Sequence, residues 1–224
     1  MAKAILVDVD NTIFDFPSSS LLALKRSADI FGIKLPDNIL PVFLKHNNAL
    51  WDRIEEKTLT FSELQHIRFN EIFNEIGIEG VDGYSFELLF DEVFEECAVE
   101  VEGIRTALSY LKGKGYILAI ASNASRKQQI RRLQSTSMLS FFSAIFTSEE
   151  LGVSKPNPEF FRKCLKGLNI KPEEAIMFGD SLKADIIGAK EAAITTIWFD
   201  RRDSGDSEYA DYKITSPLEL LSIL

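Results

Sequence analysis

Cysteine and histidine are both scarce in this chain, two of each among 224 residues, and their scarcity removes whole classes of chemistry. Cys97 and Cys164 stand far apart within apolar helical patterns. They have neither the paired spacing of a zinc or thiol-redox site nor the density of a disulfide scaffold, so both read as small buried hydrophobes. His46 and His66 sit apart in a helical stretch and read as structural histidines. Positive charge is also short: 25 Lys and Arg against 34 Asp and Glu leave a formal net charge of −9. A surface for duplex nucleic acid needs cations in excess to neutralise phosphates, so that class of partner is excluded. No apolar run approaches the roughly 20 residues of a membrane span, and no basic segment leads into an apolar stretch and cleavage site at the start. No membrane partner is expected, and the expected location is the cytoplasm. Linkers, low-complexity tracts and internal repeats are missing too. The chain is long enough for one sizeable core with a smaller satellite unit.

What is present begins with AILVDVDNTIFDF, residues 4 to 16. The run Ala4 to Val7 has no polar alternation and is too short for a helix, which predicts a strand buried on both faces. Asp8 and Asp10 then fall at its C-terminal end, where open parallel sheets bind ligands. Taken alone, the same residues also fit a strand running into an Asx turn, with Asn11 and Thr12 supplying local hydrogen bonds. After Asp15 the pattern turns helical, starting at Pro17 and the cluster Ser18 to Ser20. Leu21, Leu24, Ala28 and Phe31 share one helical face before Gly32; Phe69, Ile72, Phe73 and Ile76 share another before Gly77; Phe86, Leu89, Phe90, Val93 and Cys97 repeat the spacing. From about Val101, helical and strand patterns alternate: IRTALSYLKGKG leads to YILAIASN, and AIFTS, AIMFGD and TTIWFD follow as short apolar runs. Such alternation predicts an α/β protein with a Rossmann-like, doubly wound parallel sheet. Its core spans residues 1–15 and 98–224, with an inserted all-helical domain at 16–97.

Several strands end in residues with chemical potential. YILAIASN closes on Ser122 and Asn123, and AIMFGD on Asp180, with Asp185 shortly after. Between them Lys155 precedes Pro156 and Pro158 in an extended segment that leads into a helix. Asp8, Asp10, Asp180 and Asp185 at one sheet edge would repel one another unless a cation sat among them, and hard oxygen donors suit Mg²⁺. Lys155 adds a second positive charge, while the Ser122 hydroxyl and the start of the following helix add donors for an anion. The sum is a phosphoryl site. Each motif alone has an ordinary reading, a turn aspartate or a solvated lysine; their order and placement at strand ends carry the argument. The basic run Arg126, Lys127, Arg131 and Arg132 reads as a solvated helix face.

DVDNT, Ser122 after a strand, Lys155 before a proline and GDSLKAD together resemble the four ordered motifs of the haloacid dehalogenase superfamily. The resemblance implies that Asp8 is a nucleophile forming an aspartyl-phosphate and that Asp10 is the general acid, then base. It implies Mg²⁺ held by the Asp8 side chain, the Asp10 main-chain carbonyl and the Asp180 side chain. Ser122, Asn123 and Lys155 would hold the transferring group, and Asp185 would support the lysine and the outer shell of the metal. The insertion directly after the first motif resembles helical caps that close over the site and select the leaving group. Within the superfamily, DNTIFDF, GDSLKADIIGAKEA and TIWFD look most like the pyrimidine 5′-nucleotidase branch. The expected partner is then a small phosphorylated metabolite such as a nucleoside 5′-monophosphate, with Phe14, Phe16 and Trp51 as candidates to stack on a base. A sugar-phosphate or phosphoglycolate phosphatase is the nearest alternative. A haloacid dehalogenase, whose reaction needs no metal, fits Asp10 and Asp180 less well, and a non-catalytic binding module would not need the intact acidic set. The expected assembly is a monomer or homodimer.

Overall fold

The structure, a computed structural model, describes residues 2–205 and 208–224. It divides into two compact units, Met1–Asp15 with Val99–Leu224, and Phe16–Ala98. In the first unit, β1 (Ala4–Val7), β2 (Ile117–Ser122), β3 (Ala144–Thr147), β4 (Ala175–Gly179), β5 (Thr195–Phe199) and β6 (Tyr212–Ile214) form one sheet in the order β3-β2-β1-β4-β5-β6. Every pairing is parallel. The four aliphatics of β1 are all buried because the strand lies between β2 and β4 with helices on both faces. Val7 sits level with Ile120 and Phe178, so the chain leaves β1, β2 and β4 at one edge. In this strand order that edge is the crevice where the direction of winding reverses. β6 falls outside the apolar runs of the sequence: three residues with a lysine at their centre make a short outer strand, a form that suits a sheet edge.

The second unit holds α1 (Phe16–Phe31), α2 (Ile39–Glu55), α3 (Phe61–Ile76) and α4 (Gly83–Phe94). Phenylalanines at helical spacing build its core; Phe43, Phe69, Phe73, Phe86, Phe90 and Phe94 are all buried together. α3 starts at a reciprocal cap between Thr60 and Glu63 and stops at Gly77, whose φ of 72° is the left-handed conformation that glycine adopts without strain. A buried ion pair enters this aromatic core. Arg68 of α3 donates to Glu87 of α4 and to Asn47 of α2, and its guanidinium lies 5.2–5.6 Å from the ring centroids of Phe43, Phe69 and Phe90.

The remaining helices belong to the sheet unit: α5 (Ile104–Gly113), α6 (Arg126–Ser135), α7 (Ser148–Leu151), α8 (Pro158–Leu168), α9 (Gly188–Glu191) and α10 (Leu220–Ile223). α8 lays Phe160, Phe161, Cys164 and Leu165 on Leu6, Ala119, Ala121 and Met177 of the sheet. That apolar contact fixes the segment carrying Lys155, which immediately precedes α8. Cys97 and Cys164 are buried and unpaired by disulfide, each packed in a hydrophobic cluster. No helix among the described residues is long and apolar enough to cross a membrane.

Candidate active site

β1 hands its last ladder bond to the first acidic residue: the Asp8 N–H donates to the Phe178 carbonyl at 3.0 Å. The chain then turns sharply, with Asn11 at φ 62° and the N–H groups of Ile13 and Phe14 both reaching the Val9 carbonyl, at 2.8 and 3.0 Å. Asparagine tolerates that left-handed position better than most residues. The turn brings the Thr12 hydroxyl to within 3.3 Å of Asp8 Oδ2.

Lys155 reaches the other oxygen. Its Nζ lies 2.6 Å from Asp8 Oδ1, 2.6 Å from Asp185 Oδ1 and 2.7 Å from the Ala121 carbonyl, so all three ammonium hydrogens are used. Asn123 brackets the lysine's main chain from the end of β2, accepting its N–H at 2.9 Å and donating to its carbonyl at 3.0 Å. A phosphate contact from the same Asn123 amide would have to share these bonds. The peptide from Lys155 to Pro156 is cis, and Asn157 with Pro158 caps α8.

Asp185 lies on a π-helical turn, Leu182–Ile187, that is capped by Ser181; besides Lys155 it accepts the Ser181 N–H at 3.1 Å. Gly179 lets this approach happen, since a Cβ there would run into the Asp185 carboxylate. Asp180 follows at the end of β4, and its carbonyl accepts the indole N–H of Trp198 at 2.9 Å. Asp8, Asp180 and Asp185 each bring one carboxylate oxygen within 4.8 Å of the others. Burial pushes the Asp8 carboxyl up to about 7; Lys155 opposes the shift, and Asp185 and Asp10 add to it. Burial, with the Asp8 and Asp185 charges, also lifts Asp180 well above the usual carboxylate range. Burial works against the Lys155 ammonium too, but Asp185 and Asp8 outweigh it and hold the group above its ordinary value. One lysine therefore does not balance the cluster. The donors are all hard oxygens and their charge is in excess, which fits a divalent cation of the Mg²⁺ type.

Asp10 stands apart from those three carboxylates. Its Oδ1 accepts from Arg132 Nη1 at 2.6 Å and its Oδ2 from Gln129 Nε2 at 3.3 Å. The same Gln129 nitrogen lies 3.1 Å from the Ser122 hydroxyl, which also accepts the Ala124 N–H at 3.1 Å. Here the structure corrects the sequence reading. Arg132 is not on a solvated face: it is 0 % exposed, with its guanidinium 4.9 Å from the centroid of the buried Phe14 ring. The usable signal was the composition of α6, whose buried positions are Gln129, Arg132 and Leu133. A helix flanking a buried sheet with so little apolar sequence has to bury polar side chains. Arg126 is likewise engaged, on the Ile145 carbonyl at 2.8 Å and Glu150 at 3.0 Å. The three aromatics named as candidates to stack on a base all have packing contacts, and Phe14 is fully buried. Phe14 lies under Arg132, Phe16 packs on Phe43 and Phe94, and Trp51 packs on Phe61.

The family model of haloacid dehalogenase-like hydrolases matches residues 5–199. The HAD-hydrolase YfnB of Bacillus subtilis (strain 168) is 31% identical over 225 residues, spanning 99% of this chain and 95% of its own. Its solved structure, described as bound to magnesium and as revealing interdomain movement, superposes with a TM-score of 0.90 at 30% identity, over 100% of this chain and 98% of that one. The pyrimidine 5′-nucleotidase PynA of Streptococcus pneumoniae is 29% identical over 99% of this chain and 94% of its own. A glyceraldehyde 3-phosphate phosphatase of Pyrococcus furiosus is 41% identical over 130 residues, covering 56% of this chain and 54% of its own. With its strand order, its acidic cluster and a match running from β1 to β5, this chain belongs to the haloacid dehalogenase-like hydrolases.

Proposed function

We propose that the chain is a Mg²⁺-dependent phosphomonoester hydrolase that works through an aspartyl-phosphate on Asp8 and acts on nucleoside 5′-monophosphates. The observation that carries this reading is the Lys155 ammonium between Asp8 and Asp185. It favours an ionised Asp8 in a place where burial alone would neutralise it. An Asp8 oxygen attacks phosphorus; the bond from phosphorus to the ester oxygen breaks, and the departing alkoxide leaves as an alcohol with the Asp10 proton. Water then attacks the phosphorus of the aspartyl-phosphate and gives a proton to Asp10. The bond to Asp8 breaks, and inorganic phosphate leaves.

Lys155 and Ser122 hold the phosphoryl oxygens through this sequence. The Ser122 oxygen already accepts two hydrogen bonds, which leaves its own hydrogen to be donated. Asn123 contributes by fixing Lys155, and Asp185 by holding the ammonium from behind. The Asp8 and Asp180 carboxylates with the Asp10 main-chain carbonyl would hold Mg²⁺, which supplies positive charge for the phosphoryl oxygens.

The nucleotide assignment draws on the motifs around Asp10, Asp15 and Asp180 and on the likeness to PynA. A second reading, a small sugar phosphate as substrate, is favoured by the likeness to the Pyrococcus furiosus phosphatase. Residues 1–15 and 98–224 would form the catalytic core, and the helical insertion at 16–97 the cap that selects the leaving group. Phosphate release from deoxypyrimidine monophosphates, glyceraldehyde 3-phosphate and phosphoglycolate, each with Mg²⁺ or with chelator, tests both levels. The expected result is release only with Mg²⁺ and the highest kcat/KM for a nucleotide. Equal rates with chelator overturn the metal assignment, and a sugar phosphate ahead of every nucleotide overturns the nucleotidase assignment.

A further inference from the structure

α6 enters at its N-cap, Ser125, whose hydroxyl accepts the Gln128 N–H at 3.3 Å. Gln129 and Arg132 are three residues apart and so project from the same face of the helix; both are fully buried. Removing a guanidinium from water is costly unless its partner and geometry are good. Arg132 has such a partner in the Asp10 carboxylate, whose Oδ1 it meets at 2.6 Å, as short as a charge-assisted bond. The carboxylate it has found is not itself a buried structural group, for the Asp10 side chain keeps 32% exposure beside Asp8.

The two oxygens of Asp10 have different partners, Arg132 on Oδ1 and Gln129 on Oδ2, and this fixes the rotation of the carboxylate about its own axis. The strong, short contact commits Oδ1 to Arg132. Oδ2, in a longer 3.3 Å contact with Gln129, remains the oxygen able to carry an exchanged proton. Arg132 grips the other end of the same turn as well, through the Phe14 ring, and Asp10 and Phe14 are themselves bridged across it. We infer that Arg132, assisted by Gln129, is a positioning residue that holds Asp10 in the orientation in which it exchanges its proton with leaving group and water. The inference rests on the reading of Asp10 as the acid and base of phosphomonoester hydrolysis.

The test compares wild type, Arg132→Met, Arg132→Lys, Asp10→Asn and the Asp10→Asn/Arg132→Met double variant on two substrates. One is 4-nitrophenyl phosphate, whose leaving group needs no proton; the other is a nucleoside 5′-monophosphate, which releases a basic alkoxide. A lost general acid costs about 10²–10⁴-fold where the leaving group needs protonation. Arg132→Met should therefore lower kcat on the nucleotide about 10²-fold with KM little changed, and lower it about tenfold or less on the aryl phosphate. Arg132→Lys should recover part of the loss, and the double variant should be no slower than Asp10→Asn. Equal losses on the two substrates, or a double variant slower than Asp10→Asn, would show that Arg132 only supports the fold and would overturn the inference. If Arg132→Met does not fold, Gln129→Leu carries the same comparison, with a smaller loss confined to kcat on the nucleotide expected and an equal loss on both substrates overturning it. Equal losses in Asp10→Asn itself would instead remove the acid role of Asp10, and the inference with it.

Discussion

Lys155 Nζ lies 2.6 Å from Asp8 Oδ1, with both groups buried and 147 residues apart in the chain. Removing one partner of such a pair leaves the other charge stranded, and here Asp8 and Asp185 would be stranded together. Lys155→Met should therefore cost about 3–5 kcal/mol of stability and lower kcat/KM by about 10²–10³-fold or more. Lys155→Arg should restore little, because Nζ meets Asp8, Asp185 and the Ala121 carbonyl as a point donor and a planar guanidinium cannot reproduce those contacts. Chemical denaturation and single-turnover kinetics of the two variants check both effects; an active Lys155→Met would contradict the assigned role.

The crowding of Asp8, Asp180 and Asp185 sets up an opposite pair of effects at Asp180. Without metal, Asp180→Asn removes one of these crowded like charges and should raise Tm. With Mg²⁺ it removes a ligand, so the Mg²⁺-induced rise in Tm expected of wild type should shrink or vanish. Thermal shift with and without Mg²⁺ reads both at once. A wild-type Tm indifferent to millimolar Mg²⁺ would count against the site.

Much of this architecture is written locally. Four unbroken aliphatics announce β1, and phenylalanines at helical spacing ahead of Gly77 announce α3. The strand-end residues Asp8, Ser122 and Asp180 gather because β2, β1 and β4 are neighbours, an order that alternation of helix and strand suggests but does not dictate. The composition of α6 signals that some polar side chain must be buried, but that it is Arg132, and against which partner, was illegible for a physical reason. In RKQQIRR, helical periodicity says which residues share a face but not which face turns inward, and the carboxylate that the buried arginine meets, Asp10, lies 122 residues away. Phe14 is the mirror case: an aromatic placed after a catalytic turn looks available for substrate until the guanidinium that covers it is known.

Within the helical unit, Arg68 joins three helices through Glu87 and Asn47. Arg68→Met and Glu87→Leu should each destabilise that unit by about 3–5 kcal/mol, because each takes from a buried charge the partner of opposite sign that it meets in the core. The double variant should cost much less than either single one, since the surrounding phenylalanines can pack on apolar replacements. Trp51 lies in this unit and Trp198 in the other, and the chain has 2 tryptophans. Fluorescence in a Trp198→Phe background therefore follows the helical unit alone. Additive losses in the double variant would show that the two charges do not act as a pair.

At the β6 edge of the sheet, acid stability depends on Asp211. Asp211 accepts the Thr196 N–H at 2.9 Å and its hydroxyl at 3.0 Å, and pairs with Lys190, which ties the segment before β6 to β5 and α9. Burial works against its ionised form, but the bonds from Lys190 and Thr196 outweigh burial and hold the carboxyl below its ordinary 3.8. A group whose folded-state value is depressed adds stability above its unfolded value, and that stability is lost as pH falls through the folded one. Asp211→Asn should thus lower stability at pH 7 by about 0.5–2 kcal/mol, the worth of charge-assisted bonds at a partly exposed site. The gap between variant and wild type should close as pH falls below 3.8. Urea midpoints of both proteins from pH 7 to about pH 2.5 measure it. A gap that stays constant across that range would mean that the carboxylate charge contributes nothing and that Asp211 acts only through its shape.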